Sequence, residues 1–192
     1  MIATNKEMEL ITQVTSDLDR HEGYREFAYP DPLSKLNKKY PRSGWGTKPA
    51  AEILKKLGFD IEDAEEAGAP WTVGYGFTNG VNLNTRVSKT QAKRKLEELV
   101  YAVHHDLFAT LSWYKDTTMV TKTILINMYY NMGRKGLLGF RNTLRYISER
   151  NYKQAAANML KSLWAKQVGR RASELARRLE TQEIAAPYKA TE

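Results

Sequence analysis

The 192-residue sequence contains no cysteine and only three histidines. Without cysteine there is no disulfide framework and no thiolate metal site. That fits a cytosolic origin and leaves the chain free to work in an oxidising space. Of the histidines, His104 and His105 are adjacent, so on a helix their rings diverge by about 100°. With only His21 besides, catalytic metal is argued against; neither metal nor cofactor is expected. No apolar run is long enough for a transmembrane helix. The stretch Met1 to Glu7 turns acidic before an apolar core could form, which argues against a cleaved secretory signal. Gly74, Gly76 and Gly80 loosely suggest a phosphate loop. However, G-x-x-x-x-G-K-[ST] does not occur, and Asn79 spoils G-x-G-x-x-G, so nucleotide binding is set aside. No internal repeat or low-complexity tract is visible.

What is present is ordinary for a soluble globular protein: 42% hydrophobic and 27% charged residues. The length suits one domain, or two small lobes sharing a core. The net charge of +8 favours polyanions such as nucleic acid, anionic lipid or an anionic cell wall. Charge alone does not choose among them, and many basic proteins have no such partner. Arg170-Arg171 and Arg177-Arg178 suggest a basic face near the end, with a solvated helix face as the plain alternative.

Met8, Ile11, Val14 and Leu18 recur at helical spacing, with Asn5 placed to cap the helix and Gly23 to end it. Tyr24 to Asp31 reads as extended chain closed by Pro30 and Pro32. Leu33 to Gly46 reads as loop. Thr47 and Pro49 open a short helix carrying Ile53, Leu54 and Leu57, with Gly58 after it. Ile61 to Ala67 suggests another turn or two. Trp71 to Phe77 alternates like a strand, and Asn79-Gly80 is a hairpin-type signal. Ser88 and Gln91 make a capping box. The following helix carries the stripe Ala92, Leu96, Leu99, Val103 and Leu107. Thr118 to Met132 is apolar nearly all round, which marks a buried helix ended by Gly133. Helices follow at Arg141 to Glu149, Tyr152 to Trp164 and Arg170 to Glu183, with fraying expected from Pro187.

Two acids stand at element ends. Glu22 closes the first helix, where the helix dipole disfavours negative charge. Asp31 closes the extended segment nine positions on. Glycosidic bond cleavage needs one acid to protonate the leaving oxygen and one carboxylate to activate water or stabilise the cationic centre. Spacing alone is weak support among 22 acids.

Glu22-Gly23, Tyr29-Pro30-Asp31 and Thr72-Val73-Gly74-Tyr75-Gly76 together resemble the motif of the phage-type lysozymes, the T4 lysozyme family. The resemblance continues through Asn127 to Gly133, Leu138 to Leu144, Ala155 to Asn158, Ser162 to Trp164 and Gly169 to Ala172. It implies an α+β, predominantly helical fold with a cleft between two lobes, in a single lysozyme-like domain over residues 1–192. The first helix, about 1–22, would pack with the C-terminal lobe. A small lobe with a short β-hairpin would span 23–87, including an insertion at 33–70, and a helical lobe 88–192. The resemblance further implies Glu22 as general acid, Asp31 as the group that positions or activates water, and Thr72 as holder of that water. Arg171 would pair with the catalytic Glu, and Tyr130, Asn131 and Asn142 would line the saccharide groove. The family outcome is inversion, which goes with carboxylates about 6.5–9.5 Å apart. Three departures stand out. Forty residues separate Asp31 from Thr72 where the family has a tight hairpin. Phe77 replaces a usual His, and Asn131 a longer Gln.

The resulting expectation is a peptidoglycan hydrolase, a muramidase cutting between N-acetylmuramic acid and N-acetylglucosamine and lysing a bacterial host. The partner is peptidoglycan, with transient contact to the anionic envelope, no nucleic acid, and a monomeric state. The protein would wait in the bacterial cytoplasm until a membrane pore releases it, or travel in a virion. A lytic transglycosylase on the same fold, or a non-catalytic wall-binding or assembly protein, are the alternatives; a nucleic-acid binder is third.

Overall fold

A computed structural model describes residues 4–183. Ten α-helices and two strands follow one another among these residues, so the fold is α+β and predominantly helical. In chain order they are α1 (Asn5–Glu22), β1 (Arg25–Pro30), α2 (Lys35–Lys39), α3 (Ala50–Leu57), α4 (Ile61–Gly68), β2 (Trp71–Gly74) and α5 (Lys89–Thr110). Then come α6 (Met119–Leu138), α7 (Arg141–Ser148), α8 (Tyr152–Leu160), α9 (Leu163–Val168) and α10 (Arg170–Thr181). The chain divides into two compact units, one of Met1–His21 with Glu97–Glu192 and one of Glu22–Leu96. The fraying expected from Pro187 lies outside the described residues. No described helix is long and apolar enough to cross a membrane.

In the smaller unit, β1 and β2 pair antiparallel, with Tyr29 opposite Thr72 and Pro30 opposite Trp71. Period two buries Ala28 and Pro30 on one face of β1. The other edge of β1 is held by Ala28 N–H donating to Thr85 O (3.0 Å) and Val87 N–H to Glu26 O (3.0 Å). The hairpin does not form at Asn79-Gly80. It closes earlier, where Val73 and Phe77 exchange two 2.9 Å hydrogen bonds around Gly74, Tyr75 and Gly76. Gly74 and Gly76 both have positive φ (67° and 96°), which the tight reversal requires. A Cβ on Gly74 would stand 2.7 Å from the Phe77 ring. Asn79-Gly80 makes only an isolated turn, closed by Val81 N–H donating to Thr78 O at 3.3 Å.

Residues 33–70 build a small core of their own onto this hairpin. Leu33 to Gly46 is not all loop, because α2 forms inside it. Ser34 caps α2 by accepting from Asn37 N–H (3.1 Å), and Leu36 anchors it. With a single apolar residue, Lys-Leu-Asn-Lys-Lys carries no periodicity to read. Leu36 packs with Trp45, Ile53, Leu54, Ala64 and Trp71 around Ala28. The two indoles meet edge to face, centroids 6.4 Å apart. Each N–H is satisfied, Trp45 on Tyr40 O and Trp71 on Glu65 O, both at 2.9 Å. α3 begins after Pro49 and ends on left-handed Gly58, as its sequence dictates. α4 begins on Asp60, whose carboxylate accepts from Glu62 N–H (2.9 Å). The excursion closes at its neck, where Asp31 N–H donates to Gly68 O (3.2 Å) and Pro70 O (3.1 Å).

In the larger unit, the buried face of α1 is Leu10, Val14 and Leu18, while Met8 is 57% exposed. The expected stripe is therefore displaced at its start. Asn5 is not the cap either; Thr4 and Glu7 form a capping box instead, Glu7 N–H donating to Thr4 Oγ1 and Thr4 N–H to Glu7 Oε2. In the smaller unit the capping box at Ser88 and Gln91 forms as expected and starts α5, whose chain crosses from one unit to the other after Leu96. Along α5 the buried positions are Ala92, Leu96, Val100, His104 and Leu107, with Leu99 exposed. A polar His104 can lie on this stripe because Nδ1 hydrogen-bonds the buried Tyr114 hydroxyl at 2.9 Å. α6 starts at the Thr118 cap and breaks at Gly133 (φ 74°), then resumes to Leu138. The expected helix from Tyr152 to Trp164 is two helices, because the Ser162 hydroxyl accepts from Ala165 N–H and starts α9 afresh. Arg178 is not on a basic surface. It is 1% exposed and its guanidinium donates to Asp17 Oδ2 at 2.6 Å.

A buried histidine, His104, and a half-buried one, His21, are expected to make this unit less stable in acid. Burial pulls His104 below the ordinary 6.5; His105 and Lys122 add to this and Glu7 opposes it. Burial likewise lowers His21, against a hydrogen bond to Glu174 that raises it. Below about pH 6.5 the unfolded chain takes up protons that these folded sites refuse, so stability is present above that value and lost as pH falls. Each site contributes a slope of at most about 1.4 kcal/mol per pH unit. Thermal unfolding is expected at a lower Tm at pH 5.5 than at pH 7.5. The dependence should shrink in the His104→Leu/Tyr114→Phe pair, which removes both hydrogen-bonding partners together.

Candidate active site

Glu22 is the last residue of α1, and Gly23 (φ 69°) turns the chain into β1. β1 carries the chain to Asp31, one residue past the last ladder pair. There the Asp31 carboxylate accepts from Leu33 N–H at 2.7 Å, while its own N–H is bound across the neck of residues 33–70. The long excursion thus leaves from and returns to a fixed point, and Asp31 is clamped at that point on both sides.

Thr72 lies opposite Tyr29 in the ladder, so both side chains emerge on one face. Thr72 is 8% exposed, and its hydroxyl makes no hydrogen bond among the described residues. Donor and acceptor are both available to a bound molecule. Burial raises the Tyr29 phenol above its ordinary value; Arg25 opposes this, and the Glu22 and Asp31 carboxylates add to it. Thr72 on the facing strand pairs with Tyr29, and the carboxylates of Glu22 at a helix end and Asp31 at a strand end both act on its phenol. Sequence reasoning assigned Tyr29 no role. Its position two residues before Asp31 on an extended strand, hence on the same face, was the available signal.

Arg171, Tyr130, Asn131 and Asn142 belong to the larger unit. Arg171, in the first turn of α10, donates from Nε to Asn127 Oδ1 (2.9 Å) and from Nη2 to Asn127 O (3.1 Å). The Asn127 amide in turn meets His21 Nδ1 at 3.1 Å, and His21 Nε2 meets Glu174 at 3.3 Å. With the amide N–H donating to Nδ1, the proton of neutral His21 belongs on Nε2, facing the Glu174 carboxylate. Glu174 is raised by burial, but hydrogen bonds from Arg20 and His21 outweigh this and hold it below the ordinary range.

Tyr130 is half-buried on α6 and Asn131 exposed beside it. Asn131 Oδ1 accepts from Trp164 Nε1 at 2.7 Å, and Trp164 meets Phe140 edge to face at 5.9 Å. The shorter amide is therefore anchored through its oxygen. Asn142, in the first turn of α7, lines a pocket of about 470 Å³ with Phe140, Asn158, Lys161 and Ser162. Asn158 accepts from the Thr143 hydroxyl at 2.9 Å, which orients its amide. Amide and hydroxyl groups beside an aromatic pair suit a ligand with many hydroxyls and apolar ring faces. Among the described residues no cluster of three or more His, Asp or Glu is arranged to hold a metal ion.

The sequence pattern of the family described as "Phage lysozyme" matches residues 55–182. That range contains Thr72, Tyr130, Asn131, Asn142 and Arg171; Glu22 and Asp31 precede it. A curated relative, "Probable T4-type lysozyme 1" of Dictyostelium discoideum, is 32% identical over 68 residues. The similarity spans 35% of this chain and 40% of that protein.

Proposed function

Because the chain belongs to the phage lysozyme family, we propose that it hydrolyses the β-1,4 bond between N-acetylmuramic acid and N-acetylglucosamine in peptidoglycan. The observation that carries this reading is that Thr72 stands opposite Tyr29, whose phenol feels both the Glu22 and the Asp31 carboxylates. Glu22, protonated, gives its proton to the glycosidic oxygen as the bond to the anomeric carbon breaks. The Asp31 carboxylate removes a proton from a water that the Thr72 hydroxyl aligns, and that water oxygen bonds to the anomeric carbon from the opposite face. The products are two free sugar ends with inversion at the new reducing end. Glu22 is left ionised and Asp31 protonated, and exchange with solvent restores both. Both carboxylates act electrostatically on the Tyr29 phenol, whose pKa they help to raise. Host lysis, after storage in the bacterial cytoplasm and release through a membrane pore, belongs to the same proposal.

The test is product analysis on purified peptidoglycan in heavy-oxygen water. Expected is a reducing-end N-acetylmuramic acid carrying one heavy oxygen, formed initially as the inverted anomer. A 1,6-anhydro product would overturn hydrolysis in favour of transglycosylation. No cleavage of any glycan would leave a wall-binding role for the fold.

A further inference from the structure

Residues 35–59 hold seven basic residues and one acid, while residues 60–68 hold five acids and no base. Lys35, Lys38 and Lys39 share one side of α2 at i, i+3 and i+4 spacing. α2 and α4 pack against each other, yet among the described residues no lysine of α2 forms an ion pair with an acid of α4. The one acid in the basic stretch, Glu52, is shared by Lys48 (3.5 Å) and Lys56 (3.4 Å). Lys35, Lys38, Lys39, Arg42 and Lys55 have no ion pair among the described residues, and all five are exposed.

Helix electrostatics account for only part of this. Lys38 and Lys39 end α2, and Lys55 and Lys56 end α3, where the helix dipole favours cations. Lys35 stands at the first residue of α2, where the dipole disfavours one, and Arg42 lies beyond the helix. Their charge is kept against local preference or without its help. Beside these cations Tyr40 and Phe59 meet edge to face at 6.2 Å. Lys39 Nζ sits 5.3 Å from the first ring and 5.7 Å from the second. At these rings the ammonium competes with any nucleobase that would stack.

We propose that this basic face is a binding subsite for a phosphodiester polymer carried by the bacterial cell wall, an inference that rests on the peptidoglycan activity proposed above. Unpaired, exposed cations meet a flexible chain of phosphates through counterion release, without needing a fixed geometry. The site holds the protein on the wall while its glycan is cut.

The test titrates the full chain with poly(glycerol phosphate), with oligo(dT) of equal charge and with phosphate-free glycan. Wild type is expected to bind poly(glycerol phosphate) in a salt-dependent way. The variant Lys35→Gln/Lys38→Gln/Arg42→Gln should bind about tenfold more weakly or worse, its salt slope reduced by about 2. An unchanged affinity, or tighter binding to oligo(dT) than to poly(glycerol phosphate), overturns the proposal. So does a cleavage deficit of equal size on native walls and on walls stripped of phosphate; the deficit should be confined to native walls. The titration requires no hydrolysis, and phosphate-free glycan tests hydrolysis without this face, so each reading fails separately.

Discussion

Replacing Glu22 by Gln is expected to abolish glycan cleavage, lowering kcat by about 10²–10⁴-fold. Gln keeps the volume and hydrogen-bonding reach of Glu but has no proton to give the leaving oxygen. Protonation of that oxygen is what makes a glycosidic bond breakable at neutral pH. Binding should survive, so KM for soluble glycan oligomers changes little while kcat collapses; a fall in kcat/KM through KM alone would argue against an acid role. Asp31→Asn is expected to lose a similar factor, because its amide cannot take a proton from water. Thr72→Val, which keeps the shape and removes the hydroxyl, should lose less, since water alignment is one contribution among several. The ordering Glu22 ≈ Asp31 > Thr72 is read from turbidity loss on purified peptidoglycan, using variants whose near-ultraviolet circular dichroism matches wild type. An active Glu22→Gln variant would sink the mechanism.

The parts of this architecture that local rules govern were legible in the sequence. Ser88 with Gln91, Gly58 after α3 and Gly23 after α1 each sit where a hydrogen bond or a left-handed backbone demands them. What was not legible depended on tertiary context. The stripe of α1 passes through Leu10 and leaves Met8 outside, because buried partners select the face. His104 occupies a core position that apolar periodicity could not assign, since its acceptability rests on Tyr114 ten residues away. α2 has one apolar residue, and Leu36 gains its weight only from Trp45, Leu54 and Trp71 around it. The site shows the same division. Glu22, Asp31 and Thr72 came from motif spacing and resemblance. Tyr29 emerges only once the ladder puts it opposite Thr72, and the clamp on Asp31 only once Gly68 and Pro70 return to it. A 40-residue separation in sequence says nothing about whether its two ends meet.

Removal of Asp17 is expected to be the most destabilising single change in the larger unit. Its carboxylate, 2% exposed, is the close partner of the buried Arg178 guanidinium at 2.6 Å. Arg178 Nε and Nη2 already lack hydrogen-bond partners, and Glu174 is 3.8 Å away. Asp17→Ala therefore leaves a cation buried with almost nothing to meet it, at a cost of about 3–5 kcal/mol. That is a large part of the roughly 5–15 kcal/mol available to a domain, and for this size it lowers Tm by roughly 6–20 °C. The reverse deletion is milder. In Arg178→Met the Asp17 carboxylate keeps Arg20, which donates to Oδ1 at 3.2 Å and reaches toward solvent. The double change Asp17→Leu/Arg178→Met removes both charges and should recover most of the loss, since well-packed apolar pairs often equal buried ion pairs. Denaturant unfolding of the four proteins gives the coupling directly. Equal losses in the Asp17 single variant and the double variant would mean that the cavity left at α1, and not the stranded guanidinium, sets the cost.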